Sequence, residues 1–388
     1  MAFHKFRADQ LFDGYRLLDD QHVLITTEDG VIEDIAHISE AGDDVHSFDG
    51  ILSPGFINCH CHLELSHMKG YIPEKTGLIK FVSQVIKDRH FAEAEILSEI
   101  EKGETEMLNG GIVAVGDICN NNLTLPQKGK DRIRYHNFIE ASGFLPELAE
   151  LRFRRSLDFF NEYARLYPDP ATSNSIVPHA PYSVSEELWE KIIYFPGNHI
   201  MTIHNQETEG ENELFLYRNG EFLDFYQALG MDVSFFQPSG KTSLQTYLSK
   251  FLPAQQLILV HNVHTSAEDL AYCRRTVNER KIYWCLCPNA NLYIGRKLPD
   301  VDLFIKNDLV IVLGTDSLAS NHQLSIVAEM RTIQENFPSV KTEQMLAWAT
   351  INGAIALQVD NILGSFEKGK KPGVVVTKAN LSGSKRLL

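Results

Sequence analysis

Eight short apolar runs recur along the chain, at residues 51–59, 112–118, 133–140, 174–179, 200–205, 257–262, 282–287 and 309–315. Amphipathic stretches separate them, among them 78–109, 145–167, 185–194, 242–251 and 265–279. Strands that alternate with helices pair in parallel, because a parallel neighbour can be reached only by a crossover connection. Eight such units predict an α/β fold of the (β/α)8 TIM-barrel type. Two further helical stretches follow the eighth run, at 323–335 and 342–357. Residues 1–50 instead read as short strands with turns, and the tail "GSFEKGKKPGVVVTK" has the same character. Both chain ends are therefore expected in one small β-sandwich domain, 1–50 with 358–388, beside a barrel of 51–357.

Composition narrows the partners. A net charge of −15 offers no sustained basic face for a nucleic-acid backbone. No apolar run approaches the roughly 20 residues of a membrane-spanning helix, and "MAFHKFRADQLF" lacks the apolar core of a secretory signal. The expectation is a cytoplasmic protein with no nucleic-acid or membrane partner; a homodimer is left open. Six cysteines are too few for a disulfide scaffold, and Cys59, Cys61, Cys285 and Cys287 lie in apolar runs.

The stretch "FINCHCHLELSH", residues 56–67, holds two cysteines, three histidines and a glutamate. In a strand, side chains alternate faces, so His60 and His62 point one way, about 6.6 Å apart along the backbone, and Cys59 and Cys61 the other. The cysteines are expected between barrel and helices, although a thiolate site built with Cys285 and Cys287 stays open. In a (β/α)8 barrel, working side chains sit at the C-terminal ends of strands. Reading those ends in order gives His60 and His62, Glu140, His179, His204, His261 and Asp316. Three imidazoles and one carboxylate suit one Zn2+, or Fe2+, with a position left for water. His67, His264 and His322 are expected outside that set.

"SPGFINCHCHLELS" resembles the signature of the amidohydrolase superfamily, and "HNQE" and "LVHNVHTS" resemble motifs of its aminohydrolase branch. "CPNANLYIG" and "LGTDSLASNHQLSI" are similar to its seventh- and eighth-strand motifs. Members of that branch deaminate heterocycles such as guanine, cytosine, S-adenosylhomocysteine and aminodeoxyfutalosine. The resemblance implies His60, His62, His204 and Asp316 as metal ligands, with Glu207 and His261 as the catalytic pair. Binuclear relatives carry a lysine at the end of the fourth strand; His179 stands there in this chain, which implies one metal. The tail departs from the family, with Pro372-Gly373 where an aspartate is usual.

Hydrolytic deamination needs a nucleophilic water and a proton source for a poor leaving group. The resemblance implies that Asp316 takes the proton from the water and that His261 orients it. Glu207 would protonate the ring nitrogen beside the attacked carbon. His179, Glu140 and Glu64 are the candidate substrate contacts in a pocket shaped by loops such as 64–80 and 208–222, the last two with bracing as the other reading. Glu209, Glu211 and Glu213 are expected in solvent, and Arg152, Arg154 and Arg155 on a solvated helix face. Asn291, Ser320 and Asn321 are expected to brace loops. The predicted function is a metal-dependent hydrolase of carbon–nitrogen bonds, a deaminase of a purine-like or nucleoside-like heterocycle. The rivals are a cyclic amide hydrolase on the same scaffold and a non-catalytic barrel used in assembly.

Overall fold

The apolar runs form strands whose side chains are buried almost throughout, as strands sandwiched between helices must be. The computed structural model describes residues 3–166, 173–277 and 281–388. Eight strands carry the central layer: β1 (Phe56–Cys61), β2 (Ile112–Cys119), β3 (Arg134–Ala141), β4 (Asn174–Pro178), β5 (Ile200–Asn205), β6 (Gln256–His261), β7 (Ile282–Leu286) and β8 (Ile311–Leu313). β1 to β4 pair in parallel as one sheet and β5 to β8 as another. Hydrogen bonds link the two sheets at both outer edges. His204 N donates to His179 O at 3.0 Å, and Thr315 N and Asp316 N both donate to His60 O at 3.0 Å.

The terminal segments share one sheet. Val374–Thr377 runs antiparallel to His46–Pro54, which in turn lies parallel to Phe3–Phe12. All seven strands of this region belong to one hydrogen-bonded sheet, with Phe6, Leu24, Leu52 and Phe366 packed together on it. The apolar run at 51–59 proves to be two strands in two sheets: residues through Pro54 belong to the terminal sheet, and β1 begins at Phe56. Gly55 is the joint. A Cβ there would lie 2.3 Å from Val113 Cγ1 and 2.7 Å from the Pro372 carbonyl, so only glycine lets the chain pass.

The helical expectations need two corrections. The stretch 78–109 is two helices, Leu78–Asp88 and Glu93–Asn109. The stretch 208–222 holds the helix Glu209–Tyr217, and Glu221–Ala228 follows after Gly220. Their apolar faces, with Leu214, Phe215, Phe222 and Phe225, bury against Tyr182 and Phe144 above the strand ends. The ends of two expected helices, at 167 and 278–279, lie outside the described residues.

A buried ion pair braces the turn that follows β1. Lys128 Nζ lies 2.6 Å from Asp117 Oδ2, and neither side chain is exposed. Asp117 Oδ1 accepts the Leu63 amide at 2.9 Å, one residue beyond His62, and Lys128 also reaches Asn137 Oδ1 at 2.7 Å. Removing one partner of a buried pair strands the other charge, which costs about 3–5 kcal/mol. Lys128→Met is therefore expected to lower the unfolding free energy by about 3 kcal/mol or more in urea titration. Lys102→Met, which breaks an exposed pair with Glu99, should cost under about 1 kcal/mol. Equal midpoints for the two variants would show that the buried pair carries no such weight.

Candidate metal centre and active site

β1 delivers His60 and His62 to the same side, and their Nε2 atoms come within 3.2 Å. β5 ends in His204-Asn205, which brings the His204 ring to 4.9 Å from His60 and 5.4 Å from His62, centroid to centroid. Asp316, just beyond β8, points Oδ1 at both, 3.7 Å from His60 Nε2 and 3.4 Å from His62 Nε2. All four residues predicted as ligands therefore converge. The geometry is tight enough that Gly314 has no room for a side chain: a Cβ there would lie 2.8 Å from His60 Cβ and 2.9 Å from Cys285 Sγ.

Burial keeps these imidazoles neutral. It pushes His60 well below its usual range and brings His62 and His204 down to about 4, with neighbouring imidazoles adding to the effect on His60 and His204. Each neutral ring has one nitrogen with a lone pair. His204 Nδ1 donates to the His179 carbonyl at 2.8 Å, which leaves Nε2 as the free donor atom. Asp316 is held in the left-handed region at φ +56° and its Oδ2 accepts from Ser320 Oγ at 2.7 Å, so that Oδ1 faces the histidines. Lone pairs this close repel unless a proton or cation sits among them. Three neutral imidazoles and a carboxylate, with His60 Nδ1 buried and unpartnered, are a donor set that fits a divalent cation of the zinc type. No cysteine belongs to either cluster of three metal-competent groups among the described residues, and burial raises the thiols of Cys59, Cys61 and Cys287.

Glu207 lies just past β5, with Oε2 3.6 Å from His261 Nε2 at the end of β6. Burial, and then the charges of Asp316 and Glu211, push its carboxyl well above the usual carboxylate range. The turns that present Glu207 and His261 are strained, with Gln206 at φ +46° in the first and His261 at +74° and Asn262 at +60° in the second. Asn262 secures the second turn by donating to the Leu259 and Cys285 carbonyls.

Glu211 overturns the expectation of a solvated residue. It is fully buried, and Oε1 accepts from Gln206 N at 3.0 Å and from Ser243 Oγ. Burial raises its carboxyl to about 7. Glu209 is exposed, as expected. Spacing alone separates them: in the helix Glu209–Tyr217, position 211 faces inward with Leu214 and Phe215.

A cavity of about 540 Å3 opens over this floor, which is lined by His62, Glu64, Glu140, His179, Glu207 and Asp316. Glu64 both lines it and accepts the Asn120 amide at 2.9 Å, and burial raises its carboxyl to about 7. Glu140 accepts from Asn120 Nδ2 at 2.8 Å through Oε2, while Oε1 is buried without a partner. His179 Nδ1 meets Ser183 Oγ at 2.9 Å. The walls are apolar, with Leu78, Phe81, Val85, Phe144, Phe225 and Met231. Half-buried Arg152 lines the cavity, contrary to the expectation of a solvated face; Arg155 reaches the same cavity but is exposed, as expected, and Arg154 lies outside, paired with Glu150. Asn120 was missed, although the rule that found Glu140 covers it: it follows directly after strand β2. The three bracing residues behave as predicted, with Asn321 tied to the Thr315 carbonyl and Glu329, Ser320 to Asp316, and Asn291 to His261.

The sequence model of the amidohydrolase family matches residues 51–386. The chain belongs to the amidohydrolase family. This amidohydrolase is 24% identical to a 5-methylthioadenosine/S-adenosylhomocysteine deaminase of Teredinibacter turnerae, over 85% of its own length and 72% of the relative's. It is 24% identical to a 5'-deoxyadenosine deaminase of Methanobrevibacter smithii, over 92% and 80%. Its fold superposes on the crystal structure of Helicobacter pylori aminofutalosine deaminase with a TM-score of 0.81, at 21% identity, covering 99% of this chain and 97% of that one. That likeness makes the parallel α/β architecture of the amidohydrolase one of the TIM-barrel type.

Because Glu211 holds the turn that bears Glu207, Glu211→Ala should destabilise the amidohydrolase by about 1–3 kcal/mol, the cost of stranding buried donors. Glu209→Ala should change stability by less than about 0.5 kcal/mol. Thermal and urea unfolding of the two variants side by side checks this, and equal effects would return Glu211 to the surface.

Proposed function

We propose that this chain is a mononuclear metal-dependent deaminase that hydrolyses the amino group of a purine-like heterocycle, in a nucleoside or nucleoside derivative, to release ammonia. The observation that carries the reading is the buried Glu207 carboxyl beside His261, in the cavity above the convergence of His60, His62, His204 and Asp316. Relatives named as deaminases of adenosine derivatives support the substrate class. The cavity, larger than a bare purine needs, supports a substituted ring. The supporting scaffold is a closed (β/α)8 barrel that begins at Phe56 and runs to 357, with the terminal sheet, which extends through Pro54 and takes in 358–388, curled into a small β-sandwich domain. Six buried free thiols support a reducing compartment, the cytoplasm, and among the described residues no helix is long and apolar enough to cross a membrane.

His60, His62, His204 and Asp316 would hold one Zn2+. When bound, such an ion supplies a water acidic enough to act as nucleophile near pH 7. The chain's residues then divide the proton traffic. Asp316, through the Oδ1 that faces the histidines, receives the proton that the water gives up. Glu207 donates its proton to the ring nitrogen next to the attacked carbon, which draws electrons from that carbon and opens it to attack. His261 directs a hydrogen bond at the oxygen on which negative charge grows. The departing nitrogen takes up the proton that Asp316 received and leaves as ammonia, and the hydroxyl's proton returns to Glu207 as the ring keeps the water's oxygen as a carbonyl. Glu140 and His179, with Glu140 Oε1 unpartnered, accept and orient the polar part of the substituent.

Metal analysis and an ammonia-release assay on a panel of amino-purines and nucleosides test the proposal together. One divalent ion per chain is expected, and His62→Ala together with Asp316→Ala should reduce it to a trace. Glu207→Gln should keep the ion while lowering kcat by about 10²–10⁴-fold, as removal of a general acid does. Full activity in that variant would overturn the proton assignment, and turnover of lactams alone would replace deamination with ring opening.

A further inference from the structure

What each imidazole in the centre can offer is set by the partner on its other ring nitrogen. His204 Nδ1 faces the His179 carbonyl, which can only accept, so Nδ1 carries the hydrogen and Nε2 keeps a lone pair. His261 meets the opposite kind of partner. Its Nδ1 lies 2.9 Å from Asn291 Nδ2, an amide nitrogen that can only donate. A donor at that place needs a bare nitrogen to receive it, so the ring's hydrogen is on Nε2, the atom 3.6 Å from Glu207 Oε2. Asn291 is 2% exposed, and its own amide donates to the Cys287 carbonyl in the first turn of the helix Pro288–Gly295, directly after β7. The neighbouring strand β6 ends on His261 at φ +74°, a backbone conformation that turns this ring towards Asn291.

We propose that Asn291 is a positioning residue that fixes His261 as the Nε2–H tautomer, which keeps this ring out of the ligand set and makes it a hydrogen-bond donor to the reacting oxygen. His204 and His261 are thus sorted by one partner each. A carbonyl behind the ring yields a ligand, and an amide N–H behind the ring yields a donor. Turning the Asn291 amide over would set Oδ1 against His261, move the hydrogen to Nδ1 and give Nε2 a lone pair directed at the cation site. The two orientations therefore make opposite predictions. The tautomer itself is independent of the proposed activity, and only its catalytic consequence rests on the deaminase reading.

The test is two-bond 1H–15N correlation on zinc-loaded protein labelled at histidine with 15N, which distinguishes bare from protonated ring nitrogens. The His261 signals are those that vanish in His261→Gln. Wild type should show hydrogen on Nε2 of His261. Asn291→Asp presents only acceptors and should move that hydrogen to Nδ1 at unchanged zinc content. It should also lower kcat by ~100-fold while KM stays within about threefold, at the upper end of losses seen when an orienting partner is removed. Asn291→Ala leaves the ring without a partner and should show both tautomers, with a loss nearer ~10-fold. Hydrogen on Nδ1 in the wild type, or wild-type kcat in Asn291→Asp, overturns the proposal. If Asn291→Asp fails to fold, the wild-type spectrum and Asn291→Ala decide. If no amine-bearing heterocycle is turned over, the deaminase reading falls, and the nitrogen signals still settle what Asn291 does.

Discussion

The centre of this structure is a crowd of buried lone pairs that a proton or a cation has to hold together. Two imidazole nitrogens 3.2 Å apart and a carboxylate oxygen 3.4 Å from one of them are buried together. Burial denies the imidazoles their own charge, so they cannot satisfy the carboxylate by protonating. A hydrophobic core would not retain such an arrangement for stability, since neutral rings with crowded lone pairs contribute less than packed aliphatic groups. The grouping makes sense as a ligand set, and the rest of the floor is arranged around the same fact. Burial also raises other carboxyls packed around it, Glu64 and Glu211 to about 7 and Glu329 to about 8.

The backbone contributes as much as the side chains. His261, Asn262, Gln206 and Asp316 all take positive φ, each at the end of a strand and none of them glycine. Such conformations cost of order 1–3 kcal/mol apiece and persist only where the surroundings dictate them. Here the dictating contacts are visible: Asn262 Nδ2 on two carbonyls, Gln206 N on the Glu211 carboxyl, and Asp316 N on the His60 carbonyl. The last of these is also a link between the two sheets. The strain that aims Asp316 and the hydrogen bond that joins β8 to β1 are therefore one feature.

Much of this was legible in the sequence because strand ends are. A polar residue after an apolar run marks itself, which is how His60, His62, Glu140, His179, His204, His261 and Asp316 could be read and why all of them but His60 line one cavity. What escaped is whatever depends on a partner distant in the chain. Glu211 sits in an acidic run that reads as solvated, and its burial comes from Ser243, 32 residues away. Arg152 lies on a helix whose charged positions look like a solvent face, and the cavity claims it only because that helix packs beside β3 and β4. The split at Gly55 was hidden because both of its flanks are apolar, and apolarity does not say which sheet a residue joins.

One consequence concerns how much the catalytic groups depend on residues that never touch substrate. The ligand atom of His204 is selected by the His179 carbonyl, that of Asp316 by Ser320, and the hydrogen of His261 by Asn291. Each selector lies on a different crossover from the group it orients, except Ser320, which follows Asp316 by four residues. A barrel-type scaffold makes this economical, because neighbouring strand ends are held at fixed spacing by their ladders and a partner on one loop is always within reach of the next. It also sets which parts can vary. The apolar wall from Leu78 to Val85 and from Phe225 to Met231 carries none of these selecting bonds, so it is free to change with the substrate while the proton chemistry below it stays fixed.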